Sequence, residues 1–338
     1  MPNMKQRSWQ FYPFEDFDVF RKSWDALNTA GNGSPILDST FLFLALREFG
    51  EGQKIFAVCK EGDIAIASCV LEKVRLGIWQ TFQPSQSPLG AWLQRPDVEW
   101  QELLSSLARS LPGIVLAIGV TQQDPSIIAP PTQNAHIETK DYIETARVTV
   151  DGSFDDYWGK RGKNLRQNMS KQANRLSRSN VSVKYVEITD PEAVSKAIDA
   201  YGILESHGWK AKEGTAVHPD NAQGRFYRDM LKDYCRRGEG VVYQLWFDEN
   251  LVATDLCIKR NGVLIILKTT HDEQQKTTSP ALLMRKQAFE HLFEGGECHG
   301  IEFYGKVMDW HRKWTDDIRT LYHVTYFRFP WVARLRRG

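Results

Sequence analysis

The sequence predicts a mixed α/β (α+β) fold in two lobes, on three observations. The chain has 338 residues, 42% of them hydrophobic, enough for two cores of ordinary size. Its two halves share a rough order of helix, helix, strands, helix, strand, without a residue-level repeat. In the last third, VVYQLWF, LVATDLCIKR and VLIILKTT are strand-like runs joined by turns at Asp248-Glu249-Asn250 and Asn261-Gly262, the spacing of antiparallel hairpins. The boundary is set at 150, with residues 1–150 in the first lobe and 151–338 in the second.

In the first lobe, Phe17, Phe20, Trp24 and Leu27 fall at helical spacing, so residues 17–28 read as an amphipathic helix. Asp38, Ser39 and Thr40 supply a cap for a second helix, FLFLALREF, which stops at Gly50. KIFAVCKEGDIAIASCVLEKVR reads as a hairpin turning at Glu61-Gly62-Asp63. After the loop QPSQSPLG, residues 101–110 read as a helix and GIVLAIGV as a buried strand. A Pro-rich loop at 124–131 and the strand-like TARVTV lead to the second lobe. There, residues 154–179 read as one long basic helix, VSVKYVEI as a strand, and 191–208 and 221–237 as helices. The three hairpin strands follow, then the loop HDEQQKTTSP, the helix ALLMRKQAFEHLFEGG and the strand GIEFYG.

Composition narrows the function. The net charge is +1, so no global field points to nucleic acid or to a membrane. The five cysteines are scattered, odd in number and form no CxxC pair, which favours reduced thiols, a cytoplasmic protein and no zinc or other metal site. MPNMKQRSWQ has no apolar run, so no secretion signal is expected, and no stretch has the length of a membrane span. Eleven tryptophans are many for this length, and some are expected in a ligand groove, most in the core.

Two segments suit an anion. Lys160, Arg161, Lys163, Arg166, Lys171, Arg175 and Arg178 follow one another with no acid between them, and Leu165, Met169, Gln172 and Leu176 form the inward stripe of the same helix. Such a face cradles an anionic ligand, or is simply solvated and paired with Asp155 and Asp156. The second segment is the loop before residue 280. A helix start offers free N–H groups and the positive end of its dipole, and Pro280 suits the first helical position.

Taken in order, FDDYWGKRGKNLRQNMSKQANRL, ESHGWK, DENLVATDLCIKRNGVLIIL, TTSPALLMRKQAFEHLFEGG, IEFYG and WHRKWTDDIRTLYHVTYFR resemble the acyltransferases of the GNAT superfamily, in the branch of CelD-like cellulose-biosynthesis proteins and FemAB-like transferases. The resemblance covers about 154–328 well and the first half loosely. It implies two GNAT-like lobes, each a mixed, mainly antiparallel sheet flanked by helices, with the basic helix connecting them. It implies an acyl-CoA-dependent N-acyltransferase, acetyl-CoA first among its donors. The acceptor would be an amine, such as an amino sugar or a cell-envelope or exopolysaccharide precursor. The donor pyrophosphate would face the start of the helix at 280, with Lys268, Thr269, Thr270, Thr277, Thr278, Ser279, Ala281 and Leu282 along the donor. The loop departs from the family pattern in having no glycine across 275–282, with Ala281 where this branch often carries Gly and threonine and serine hydroxyls in place of close-approaching backbone.

Acyl transfer to an amine needs a base, a donor to the thioester oxygen and a proton for the leaving thiolate. Glu205 is the first candidate base and Asp255, in the otherwise apolar TDLCI, the second, although alternation does not decide which way it points. His271 is a candidate because a histidine can act near neutral pH, and Tyr304 is the candidate to protonate the thiolate. Trp209, Lys210, Glu302, Lys306, Trp310 and Lys313 make the candidate acceptor groove. Each has a plainer reading as core packing, surface charge or loop polarity. Two rival functions stand beside this one: a FemAB-like transferase using aminoacyl-tRNA, the one reading with a nucleic-acid partner, and a GNAT-fold scaffold of polysaccharide biosynthesis that has lost catalysis.

Overall fold

The computed structural model describes residues 7–13, 16–206 and 217–337. They fall into two compact units, Met1–Glu144 with Arg319–Gly338, and Thr145–Ile318.

The first unit holds β1 (Arg7–Pro13), α1 (Phe17–Ala30), α2 (Ser39–Phe49), β2 (Lys54–Glu61), β3 (Ile64–Arg75), β4 (Ile78–Thr81), β5 (Trp92–Gln94), α3 (Trp100–Ser110) and β6 (Ala117–Gln123), and it is completed by β13 (Ile318–Phe327) and α10 (Pro330–Arg337). Asp38 caps α2 by accepting from the Thr40 N–H. The described strands run in the order β1-β2-β3-β4-β6-β13, and all these neighbours are antiparallel except β4 and β6. Trp79, Trp92 and Trp100 pack with the apolar stripe of α3 on one side of this sheet.

The chain crosses into the second unit along β7 (Ile137–Thr149). There follow α4 (Phe154–Gly159), α5 (Lys163–Arg178), β8 (Val183–Ile188), α6 (Val194–Ser206), α7 (Ala222–Arg236), β9 (Gly240–Phe247), β10 (Asn250–Arg260), β11 (Val263–His271), α8 (Pro280–Glu294), β12 (Gly300–Glu302) and α9 (Asp309–Arg312). The order is β8-β9-β10-β11-β12-β7, and among these strands only β11 and β12 are parallel neighbours. Both units therefore repeat one plan: strand, two helices, an antiparallel hairpin extended by a third strand, a helix, and a strand parallel to that third one. The helices α6 and α7 cover one face of the second sheet, and α8 covers the other. On the α8 side, Tyr243, Leu245, Cys257, Leu264 and Ile266 meet Met284, Ala288, Phe289 and Phe293. These α8 positions recur at helical spacing, which is why this helix docks by that stripe.

Two sequence expectations are corrected. Residues 319–338, assigned by the boundary at 150 to the second lobe, belong to the first unit because β13 pairs with β6. The single helix expected at 154–179 is two. Gly159 ends α4, and Gly162 stands extended at φ −52°, ψ 133° as the residue before α5, so the chain breaks between them. The five cysteines are free thiols, and burial pushes the Cys59 and Cys235 thiols up to about 11. Among the described residues no helix is long and apolar enough to cross a membrane.

Candidate functional site

The parallel pair of the second unit is short. β11 and β12 are in register only from Val263 opposite Gly300 to Ile265 opposite Glu302. β11 then continues to His271, while β12 ends at Glu302 and its chain turns towards α9. The far half of β11 thus keeps β10 on one side and parts from β12 on the other. The loop 272–279 follows, and then the start of α8.

A cleft of about 480 Å³ opens at this helix start. Ser279 and Leu282 of α8 line it, with Gly162, Asn164 and Leu165 at the start of α5. Neither helix has a side-chain cap, and neither has an acid in its first turn, so the positive ends of two helix dipoles border one space. Lys160, Arg161, Arg312 and Lys313 also line it, against the single carboxylate of Asp316. A larger cleft of about 750 Å³ lies beside Thr277 and Thr278, but Asp248, Glu249 and Asp272 line that one. Charge therefore decides between them: the smaller cleft suits an anion. The loop dividing the two is clasped by α5. The Ser279 N–H donates to Gln172 Oε1 at 2.7 Å, and Arg175 Nη1 donates to the Thr277 carbonyl at 3.0 Å.

Beneath the first turns of α8 lies a buried polar cluster. Arg285 donates to both oxygens of Asp255, at 2.8 and 3.0 Å, and to the Thr269 hydroxyl. Trp310 covers the guanidinium, 4.4 Å from ring centroid to Cζ. His311 stacks on Trp310 at 3.5 Å, and its Nδ1 accepts from the Met308 N–H at 2.9 Å, so the ring proton sits on Nε2. Burial and the Arg285 charge push His311 down to about 4, so it is neutral at physiological pH. On the opposite face of the sheet, buried Glu205 accepts from the Val217 N–H at 2.7 Å and pairs with Lys268 at 3.3 Å. Lys268 also donates to Gln223 at 2.9 Å, and its ammonium lies over the rings of Tyr201 and Tyr227.

Residues 163–312 match the family described as the acetyltransferase (GNAT) domain. The second unit is a GNAT domain. Solved structures share the fold over nearly the whole chain. FemX superposes with a TM-score of 0.59 at 9% identity, covering 94% of this chain and 98% of its own. The C-terminal domain of a putative lysylphosphatidylglycerol synthetase from Agrobacterium fabrum gives 0.56 at 14% identity, covering 96% and 94%. L-PGS from Bacillus licheniformis gives 0.52 at 14%, covering 91% of each. At these identities the likeness is one of fold. No curated protein matches the sequence.

Within the GNAT domain the residues expected along a donor separate. Thr269 and Lys268 are neighbours on β11, yet alternation sends Thr269 to Arg285 under α8 and Lys268 to Glu205 and Gln223 under α6 and α7. Lys268 is thus the partner of Glu205 and Gln223. Thr270 is on the Lys268 face by the same alternation. Thr277 and Thr278 line the acidic cleft; Ser279 and Leu282 line the cationic one, and Ala281 packs against the core. Asp255 points inward and is neutralised by Arg285, which makes it an anchor between sheet and helix. His271 is exposed at the end of β11, and Tyr304 is half-buried just past β12.

Of the expected acceptor groove, Trp209 and Lys210 lie outside the described residues. Glu302 is buried and pairs with Arg147 of the adjacent strand at 3.6 Å, a role within the sheet. Lys306 is exposed, Trp310 covers Arg285, and Lys313 belongs to the cationic cleft. Arg285, Gln223 and Arg312 had no assigned role in the sequence reading. The signal for Arg285 was present: it stands beside Met284 on the buried stripe of its helix, where an arginine needs an acid, and Asp255 is the acid in an apolar strand.

Proposed function

We propose that this chain is an acyl-CoA-dependent N-acyltransferase, with acetyl-CoA first among its donors and an amine as acceptor, such as an amino sugar or a cell-envelope or exopolysaccharide precursor. One observation carries the donor half of this reading. Two uncapped helix starts and four cations converge on the cleft at the start of α8. Lys160, Arg161, Arg312 and Lys313 would hold the donor's phosphates, and the first N–H groups of α5 would stand in for the glycine-rich backbone this loop lacks. The amine nitrogen attacks the thioester carbonyl carbon, the carbon–sulfur bond breaks, and the thiolate leaves. Glu205 takes the proton the amine loses, and Tyr304 supplies one to the sulfur.

Calorimetric titration of the full chain with acetyl-CoA tests the donor. The expected result is micromolar binding, weakened at least about tenfold by Arg312→Glu with Lys313→Glu, and likewise by Ser279→Glu. Absence of binding would remove the acyl-CoA reading. A second reading then comes forward, an aminoacyl-tRNA-dependent transferase. It is favoured by α5, which buries only Met169 and Leu176 and leaves Lys163, Lys171, Arg175 and Arg178 exposed. It requires tRNA binding that falls steeply with salt. Binding of neither ligand would favour the scaffold.

A further inference from the structure

Three separate segments of the first unit meet at one end of its sheet. The turn between β3 and β4, the loop before β6 and the chain entering α10 are tied by backbone hydrogen bonds. Leu116 N–H donates to the Gly77 carbonyl at 2.7 Å, and Arg328 N–H donates to the Leu116 carbonyl at 2.9 Å. Gly77 turns at φ +75° with the Leu116 side chain against it, so this tip is held in place. Each segment ends in a large apolar side chain facing water. Leu76 is 83% exposed, Ile114 73%, Trp331 55% and Phe329 39%. The Phe329 and Trp331 rings stack, and α10 is seated through Ala333 on Ala117 and Phe327. The stacked pair thus stands at the start of a docked helix.

Their surroundings are cationic. Residues 73–78, 108–117 and 326–333 carry Lys73, Arg75, Arg109 and Arg328 and no aspartate or glutamate. In a chain of net charge +1 this is a strong local bias. Aliphatic tips, an aromatic pair and arginines form the combination that suits the boundary of a lipid bilayer. The tips enter the acyl region, the aromatic rings sit at headgroup depth, and the cations meet anionic headgroups. We propose that this end of the first unit docks on an anionic membrane surface, as a peripheral contact that spans nothing. Charge complementarity selects that occupant: a neutral apolar partner would leave the arginines unanswered. The proposal does not depend on the acyl-transfer reading, because none of its residues belongs to the GNAT domain.

The test is co-sedimentation of the full chain with vesicles of phosphatidylcholine alone and of phosphatidylcholine mixed with phosphatidylglycerol. Binding is expected to the mixed vesicles only. It should weaken at least about tenfold in Leu76→Ser with Trp331→Ser, and as much in Arg75→Glu with Arg109→Glu. Raising the salt from about 0.1 M to about 1 M, which shortens the screening length from about 10 Å to about 3 Å, should release most of it. Circular dichroism should be unchanged in both doubles, since the altered side chains are exposed. Equal behaviour towards the two vesicle types would overturn the proposal, and so would binding indifferent to both doubles. Self-association abolished by Leu76→Ser with Trp331→Ser, without vesicle binding, would assign the face to a second copy and overturn it equally.

Discussion

Arg285 holds Asp255 by both carboxylate oxygens, with each side chain almost wholly removed from water. The pair joins α8 to β10 at the level where β11 has already parted from β12. Removing one partner leaves the other a buried charge. Arg285→Met should therefore cost about 3–5 kcal/mol in urea unfolding, and Asp255→Leu a similar amount. The double variant should recover at least about 2 kcal/mol of the summed loss, because an apolar pair carries no desolvation penalty. Single losses below about 1 kcal/mol would show that the charges are solvated. Loss of activity in Asp255→Asn should accordingly be accompanied by loss of stability.

His311 sets an acid limit. Its folded value near 4 lies below the ordinary 6.5, so the unfolded chain takes up the proton first. Stability is whole above 6.5 and falls as pH drops from there towards 4, by about 2 kcal/mol between pH 7 and pH 5. In His311→Asn this part of the pH dependence should vanish. A wild-type stability that is flat across that interval would contradict a neutral buried imidazole.

Gln172 ties the loop before α8 to α5 through one hydrogen bond. Gln172→Ala should lower acetyl-CoA affinity about fivefold while the thermal midpoint moves little, since the bond is worth about 1 kcal/mol and the site is half-exposed. A large fall in midpoint with unchanged affinity would make the contact purely architectural.

Glu205→Gln keeps the shape of the side chain and an oxygen for the Val217 N–H. As the base it should lower kcat by about 10²–10⁴ with KM nearly unchanged. Lys268→Met, acting through Glu205, should instead shift the pH profile of kcat/KM. Turnover within about threefold of wild type in Glu205→Gln would move the base elsewhere.

Much of this architecture was legible in local chemistry. Asp38 and Asn221 cap their helices, and Gly62 and Gly262 stand in the hairpin turns at positive φ, as expected from residue type. The inward stripe of α5 is also as expected: Met169 and Leu176 are buried, and Gln172 reaches Ser279. What escaped has a physical cause. β4 is the four residues IWQT and β5 the three residues WLQ, too short for alternation to register. The direction of Asp255 was undecidable because β10 is buried on both faces from Val252 to Ile258, so its sequence shows no alternation of apolar and polar residues. Arg285 was passed over because an arginine in a helix ordinarily faces water. Which cations gather at the cleft depends on where α5, α8 and α9 meet, and no local pattern reports that.

The first unit begins with the first strand of the chain and closes with the last. During synthesis β6 emerges with β4 on one flank, and its other flank must wait for β13. About 195 residues separate Gln123 from Ile318, so at 5–20 residues per second the ribosome leaves that flank open for roughly 10–40 s. Throughout that interval the nascent protein presents a bare strand edge, open to chaperones and to neighbouring nascent chains. Stop codons and frameshifts between residues 123 and 318 should thus yield an aggregating product, even when the second unit itself is nearly complete.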